Sequence, residues 1–496
     1  NAATPFVDST RAPLNYKVPA QNLFFSYLPV PIKPVALVPD SGYKWINHGF
    51  VKAGFGSFST PYAELGLSFG DGKKKTTTIN GLYTSSKGKL PYQQFTKAGL
   101  TMNGVYAAAN NHEWNTQFNY ANRTQYLYGY QPSTLIYSKD TLRRAYNDIA
   151  AIVGYTRKFA NEYGFTYSPS LTLDYFFYNK KAGEFNSIVK VPVTKTLNEK
   201  VALKLALLGD ITSYKSDSVS INNNLFALDA VVTYKTDRFV LNAGINPSWN
   251  KQETALLPDF SAEVKLKEIK ASLEGGWKGY FTKNNYRSLS NYNPYIQQPT
   301  DLFNTKVNEF YAGIKGAAGN HLTYNGRVSF LSMNDVPVFV NNYKTGTKDG
   351  KEFLILQDSA VDAVKIHGEV GYNIQEKFAF LAGINVYQFT KSSFDKPFGL
   401  VPFEVTGTLK WMMLKDLYLK SNVFIWDGIK YLDKTTAQTF KQNAVVDLNA
   451  AVEYTIMPKL NLWLQFNNLL NSKYQRWNQY EVLGLNVVGG VVYSFK

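Results

Sequence analysis

Hydrophobic and polar residues alternate with period two over long stretches of this chain. From Leu485 onward, Leu485, Val487, Gly489, Val491, Tyr493 and Phe495 fall on one side of an extended strand, with Asn486, Gly490 and Ser494 on the other. Leu460, Leu462, Leu464 and Phe466 alternate with Asn461, Trp463 and Gln465, and Val446, Leu448, Ala450, Val452 and Tyr454 with Asp447, Asn449 and Glu453. Successive side chains of a strand point to opposite faces, so each stretch reads as a strand with one oily and one wet face. Reading the whole chain this way predicts about 22 strands, among them 49–57, 147–158, 259–267, 361–374, 459–470 and 481–495.

The connections alternate too. Those after even-numbered strands are short, as at Asn110–Glu113, Thr236–Arg238 and Met457–Lys459, and several after odd-numbered strands are long, near 127–146, 282–304, 334–360, 391–401 and 429–442. Ser57–Pro61 is an exception, short where this alternation allows a long loop. An apolar face turned to lipid, a polar face turned to a lumen, and turns on one rim with loops on the other describe a transmembrane antiparallel β-barrel. An even count puts both termini in the periplasm. Residues 1–45 carry seven prolines and little periodicity, so they read as a Pro-rich periplasmic or lumenal segment ahead of a barrel spanning 46–496.

Composition agrees with one large unit. Aromatic residues make up 15% of the 496 residues, with 35 Tyr and 33 Phe, which suits interfacial girdles. No stretch approaches the ~18 consecutive apolar residues of a membrane helix, and alternation hides barrel strands from any average hydropathy. The absence of cysteine removes thiolate chemistry, zinc–thiolate sites and disulfides. The net charge of +16 brings an acidic partner into consideration, and lipopolysaccharide phosphate, anionic solutes in a lumen or an acidic partner protein each fit better than nucleic acid, for which no recognition module is present.

The stretch Leu460–Tyr474, LNLWLQFNNLLNSKY, resembles the penultimate strand and turn of TonB-dependent outer-membrane receptors, with Asn468, Leu469, Leu470, Asn471 and Tyr474 in the motif positions. The last strand, with Gly490, Tyr493 and Phe495, resembles the C-terminal signal read by the barrel-insertion machinery. Val488 stands where that signal carries a polar residue, and Lys496 follows the terminal aromatic. The motif match covers about 35 residues, although 22 is also the strand number of that family. The resemblance implies a bacterial outer-membrane protein and, with only about 45 residues ahead of the first strand, a barrel without the family's plug.

Catalysis finds little support. The histidines His48, His112, His321 and His367 lie on different strands or turns. In Val364–Tyr372 the parity turns Lys365, His367 and Glu369 to the lumen, a row that fits a proton relay or metal patch, or, more plainly, polar residues bonded across the wall. Lys73, Lys74 and Lys75 read as a solvated turn, and the loop Tyr286–Tyr295 as either a stacking surface for sugar or protein or a lid packed on itself. The polar loop Asn341–Lys351 reads as mobile. The expectation is therefore a non-enzymatic barrel without cofactor or resident metal, in contact with outer-membrane lipid and other surface proteins. It would act as a scaffold or accessory subunit of an insertion, secretion or nutrient-capture assembly. The alternative is an uptake receptor whose plug lies outside this sequence, or a passive anion-preferring pore.

Overall fold

The computed structural model describes residues 48–495, except 180, 345, 376 and 433–437. The Pro-rich reading of 1–45 and the departure at Lys496 lie outside the described residues. One antiparallel sheet has 24 members, and two of them, Phe165–Tyr167 and Ser220–Asn222, are three-residue additions at the rims, leaving 22 staves. The first six are β1 (His48–Gly56), β2 (Thr60–Gly70), β3 (Lys75–Ser86), β4 (Phe95–Ala107), β5 (His112–Tyr126) and β6 (Arg143–Arg157). Then come β7 (Ser170–Tyr178), β8 (Ala182–Thr196), β9 (Val201–Ser216), β10 (Leu225–Lys235), β11 (Phe239–Asn250) and β12 (Thr254–Leu266). β13 (Ala271–Thr282), β14 (Thr305–Ala318), β15 (Leu322–Asn334), β16 (Val361–Ile374) and β17 (Phe378–Lys391) follow. The ring is completed by β18 (Phe403–Leu414), β19 (Leu417–Asp427), β20 (Val445–Met457), β21 (Leu460–Asn467) and β22 (Asn486–Phe495).

Each strand pairs with the next, and β1 pairs with β22 from Gly49 opposite Phe495 to Gly56 opposite Val488, so the sheet closes on itself. Closure satisfies the edge groups that hydrocarbon cannot. Side-chain parity follows the sequence. In β21, Leu462 and Leu464 point outward and are exposed, while Trp463 and Gln465 point inward and are buried. Ile366 and Val370 of β16 are likewise outward. The apolar row is therefore the membrane face and is not packed on a second sheet.

The strands begin and end close to where alternation places them, with three informative differences. β6 starts at Arg143, four residues before the alternation becomes visible. β22 starts at Asn486, because Tyr480–Glu481 belongs to a small loop hairpin with Gln475–Trp477. β12 starts at Thr254 and runs through Pro258, a residue that halts a reading from sequence.

At the closing seam, Gly54 lies opposite Gly490. A side chain at 490 would collide with the carbonyl oxygen of Ala53. The indole of Trp463 crosses this gap, donating to the Ala53 carbonyl at 3.3 Å, with the ammonium of Lys52 4.1 Å above its ring. Val488 packs here with Trp463 and Val492, so its departure from a polar residue has a packing reason. Gly490→Val is expected to destabilise the closed barrel by about 1–3 kcal/mol or more. A lowered urea midpoint in vesicles would show it, and an unchanged midpoint would refute the seam's tightness.

Candidate functional site

The long loops fold inward and meet across one end of the lumen. Segments 127–142, 283–304, 335–360 and 468–485 enter a common core with the rim-proximal ends of β5 to β9. Tyr286, Tyr295, Phe353, Trp477 and Tyr480 are each no more than 2% exposed there. The rings of Tyr295 and Tyr480 stack with centroids 3.4 Å apart. Within the loop Tyr286–Tyr295, Tyr286 and Tyr295 are enclosed by neighbours, whereas Tyr292 keeps 42% of its surface exposed.

Polar contacts fix the lid to the wall. Arg123 donates to the Ser290 carbonyl at 2.9 Å, and Gln125 and Tyr146 both donate to the Pro294 carbonyl, at 2.9 and 3.0 Å. From the far side, Gln93 and Tyr128 donate to the Glu481 carbonyl. Arg476, only 4% exposed, donates to the Tyr292 hydroxyl and lies over the Trp477 ring at 4.1 Å. The 341–351 segment is held as well: Asn341 donates to the Gly350 carbonyl, and Asp349 pairs with Lys351 at 2.8 Å. Burial pushes the Asp349 carboxyl up, but Lys351, Tyr137 and Thr347 more than offset this and lower its pKa. Ties to other loops come from the Tyr480 hydroxyl, which donates to the Lys351 carbonyl, and from the Gln131 amide, which donates to the Asp349 carbonyl.

A further attachment is electrostatic. Asp148, Asp174, Glu184 and Asp210 sit on β6, β7, β8 and β9, each beside an outward apolar residue, Ile149, Leu173, Phe185 and Ile211. Parity turns all four inward, where they form a row of carboxylates across adjacent strands. Arg287 pairs with Asp148 at 2.7 Å and reaches Asp174 at 4.0 Å, and Lys283 pairs with Asp210 at 3.0 Å. Between them, Glu184 accepts the backbone N–H groups of Tyr286 and Arg287 at 2.7 and 3.1 Å. Those amides open the short helix Tyr286–Tyr292, which Asn285 and Ser288 also cap reciprocally. One lid loop thus meets an acidic wall on β6 to β9, strands that precede its own β13 in the ring.

The residues singled out from sequence are dispersed relative to this cap. His367 contacts Asn385 Oδ1 at 2.9 Å, Asn385 donates to Glu404 at 3.2 Å, and Trp426 donates to Glu404 at 3.1 Å, a chain of contacts over β16 to β19. Lys365 lies 5.3 Å over the Tyr387 ring, and Glu369 pairs in register with Asn325 and Gly383. Among the described residues no group of three acidic or histidine side chains is placed to hold a metal ion. Gly490, Tyr493 and Phe495 lie on β22 at the seam, with the last two rings stacked at 6.2 Å. The latch residues Glu184, Lys283 and Arg287 escaped the reading of the sequence. The available signals were a charge on an inward position and the Asn–x–x–Ser spacing of a helix cap.

No family model matches the chain, and no curated protein matches it in sequence. Solved structures do match. The FrpB iron transporter from Neisseria meningitidis superposes with a TM-score of 0.66 at 11% identity, over 91% of this chain and 82% of that one. The siderophore receptor PirA from Acinetobacter baumannii gives 0.67 at 9% identity, over 90% and 80%. The barrel fold is shared with these solved proteins. The ferric-catecholate import receptor Fiu from E. coli gives 0.65 at 10% identity, over 91% and 82%. The chain is a large β-barrel with the fold of bacterial outer-membrane proteins, and the solved proteins it resembles are named as transporters and receptors.

Lys73 and Lys74 lie in the β2–β3 turn, and Lys75 opens β3. The Asp71 carboxylate accepts the backbone N–H groups of Lys73, Lys74 and Lys75 at 2.9, 2.7 and 2.9 Å. Hydrogen bonds from the Lys75, Lys73 and Lys74 amides lower its pKa from 3.8 to about 2. A depressed carboxyl pKa means that the turn's hold is complete above the unfolded value and is lost as pH falls through the folded one. The Asp71 carboxyl carbon should therefore titrate near pH 2 by NMR. A midpoint at the ordinary aspartate value would refute the capped turn.

Proposed function

We propose that the chain is the barrel of a gated outer-membrane uptake receptor, with the long-loop rim facing the exterior and the cap as its gate. The carrying observation is the cap itself. A ring of 22 strands encloses a lumen wide enough to leak, and a set of interlocked loops is the means of holding it shut. This speaks against a passive anion-preferring pore. The neighbours are named as iron transporters and siderophore receptors, so a ferric siderophore is the ligand class to try first, by analogy of fold alone. The excess of positive charge in the chain suits an anionic chelate.

The accessory-subunit reading keeps one specific support. The cap core is as tightly buried as a domain interior, with Tyr214, Leu127 and Leu142 fully inaccessible, and a permanently sealed barrel would suit a scaffold. Opening separates the two readings. Lys283→Gln with Arg287→Gln leaves the carboxylate row uncompensated, a loss of about 3–5 kcal/mol if the pairs behave as buried ones. In planar bilayers the unmodified barrel should be almost silent, and this double variant should show frequent large openings. A gated receptor should also bind a ferric siderophore and open in response. Steady conductance by the unmodified barrel would sink both readings in favour of a pore. Silence in every variant and with every ligand would favour the scaffold.

A further inference from the structure

The ladder between β12 and β13 covers only the part of these strands nearest the short turns. It runs from Leu266 opposite Ala271 to Asp259 opposite Lys278 and stops there. Beyond that rung β12 still pairs with β11 as far as Thr254 opposite Trp249, and β13 still pairs with β14 as far as Thr282 opposite Thr305. Residues 254–258 and 279–282 are therefore both in strand, each held on its far side, and unpaired with one another.

The sequence supplies the cause. Pro258, immediately past the last rung, has no N–H to give to a ladder. Gly279 meets it: a Cβ at 279 would lie 2.8 Å from Pro258 Cδ and 2.8 Å from Leu257 Cβ. The far corner is tied by Lys306 and Glu253, 2.8 Å apart. Between these two corners the wall holds a cavity of about 410 Å³. Ile245, Leu256, Phe260 and Trp277 line it from the membrane-facing rows, where all four are exposed, and inward-pointing Leu257 closes its back. Asn308 also lines it. That residue lies on the row that carries exposed Phe310, a polar amide on the membrane side of β14.

We propose that this window between β12 and β13 is a binding site for one acyl chain of a membrane lipid, with the lipid's ester or amide linkage at Asn308. The occupant follows from position. The window is continuous with the apolar belt that already faces hydrocarbon, so a hydrocarbon chain is its immediate neighbour. The amide near its rim offers a donor and an acceptor where a lipid carries its first polar atoms. A lipid held there would fill the space that the missing rungs leave beside strands otherwise locked on both sides.

The lack of cysteine makes the test clean. Leu257→Cys, labelled with bimane, is reconstituted in vesicles of phosphatidylcholine brominated on its acyl chains. The control is labelled Leu331→Cys, a buried position on β15, whose ladders to β14 and β16 are continuous. Bromine quenches on contact, so the window position should be quenched at least about twofold more than the control. Equal quenching overturns the proposal, including the case in which water or a protein segment fills the window. Should the labelled variant fail to fold, native mass spectrometry of the otherwise unmodified protein decides. It should retain a phospholipid that Pro258→Val, which restores the missing donor, releases; unchanged retention, or none in either protein, overturns the site.

Discussion

Backbone amides that pass through hydrocarbon need partners within the protein, and this requirement dictates the architecture, the missing rungs between 254–258 and 279–282 being a local exception. It forces the strands into a ring, makes β1 and β22 neighbours, and leaves only the side chains free to differ between the two faces. Once the ring exists, alternation follows: Leu462 and Leu464 can meet lipid only if Trp463 and Gln465 meet the interior. The polar interior then supplies anchoring points, and Asp148, Asp174, Glu184 and Asp210 are such a set, sharing inward parity on four adjacent strands while stepping along the register: Asp148 and Glu184 both face Phe176, Asp174 faces Asn186 and Asp210 faces Ile188. The cap depends on that row. The ring therefore comes first in the causal order, and the gate is an elaboration of its inner surface.

The ring was legible in the sequence because its determinants are local. Period-two patterning, turn residues and the alternation of connection lengths each sit within a few residues of the element they define, and the count of 22 staves follows from them, with β6, β12 and β22 displaced at their starts. The membrane face of β16 was equally readable, since Ile366 and Val370 need only be two or four residues from their neighbours to declare a side. Pro258 misled for an equally physical reason. A proline usually ends a strand, but here its donorless side faces the unpaired stretch of β13, so the strand continues on its other edge.

The cap was not legible, because its contacts join residues that the sequence keeps far apart. Arg123 meets Ser290 across 167 positions, and Glu184 meets Tyr286 across 102. Nothing in the loop 283–304 has a period, and the chemistry of Lys283 and Arg287 acquires meaning only when the inner wall of β6 to β9 is known. The Lys365, His367 and Glu369 row shows the converse. Its inward placement could be read from parity, but its partners Asn385 and Glu404 belong to strands whose register no local pattern specifies.

The seam has a further consequence for biogenesis. The ring is closed by joining its first stave to its last, with Gly54 against Gly490 across more than 430 positions, so no intermediate shorter than the whole set of staves has every edge satisfied. A nascent barrel interrupted before β22 carries two raw edges that neither water nor lipid relieves equally. Closure is then an all-or-nothing event with a long entropic reach, and a cell that monitors exposed strand edges could distinguish finished barrels from unfinished ones by that single criterion.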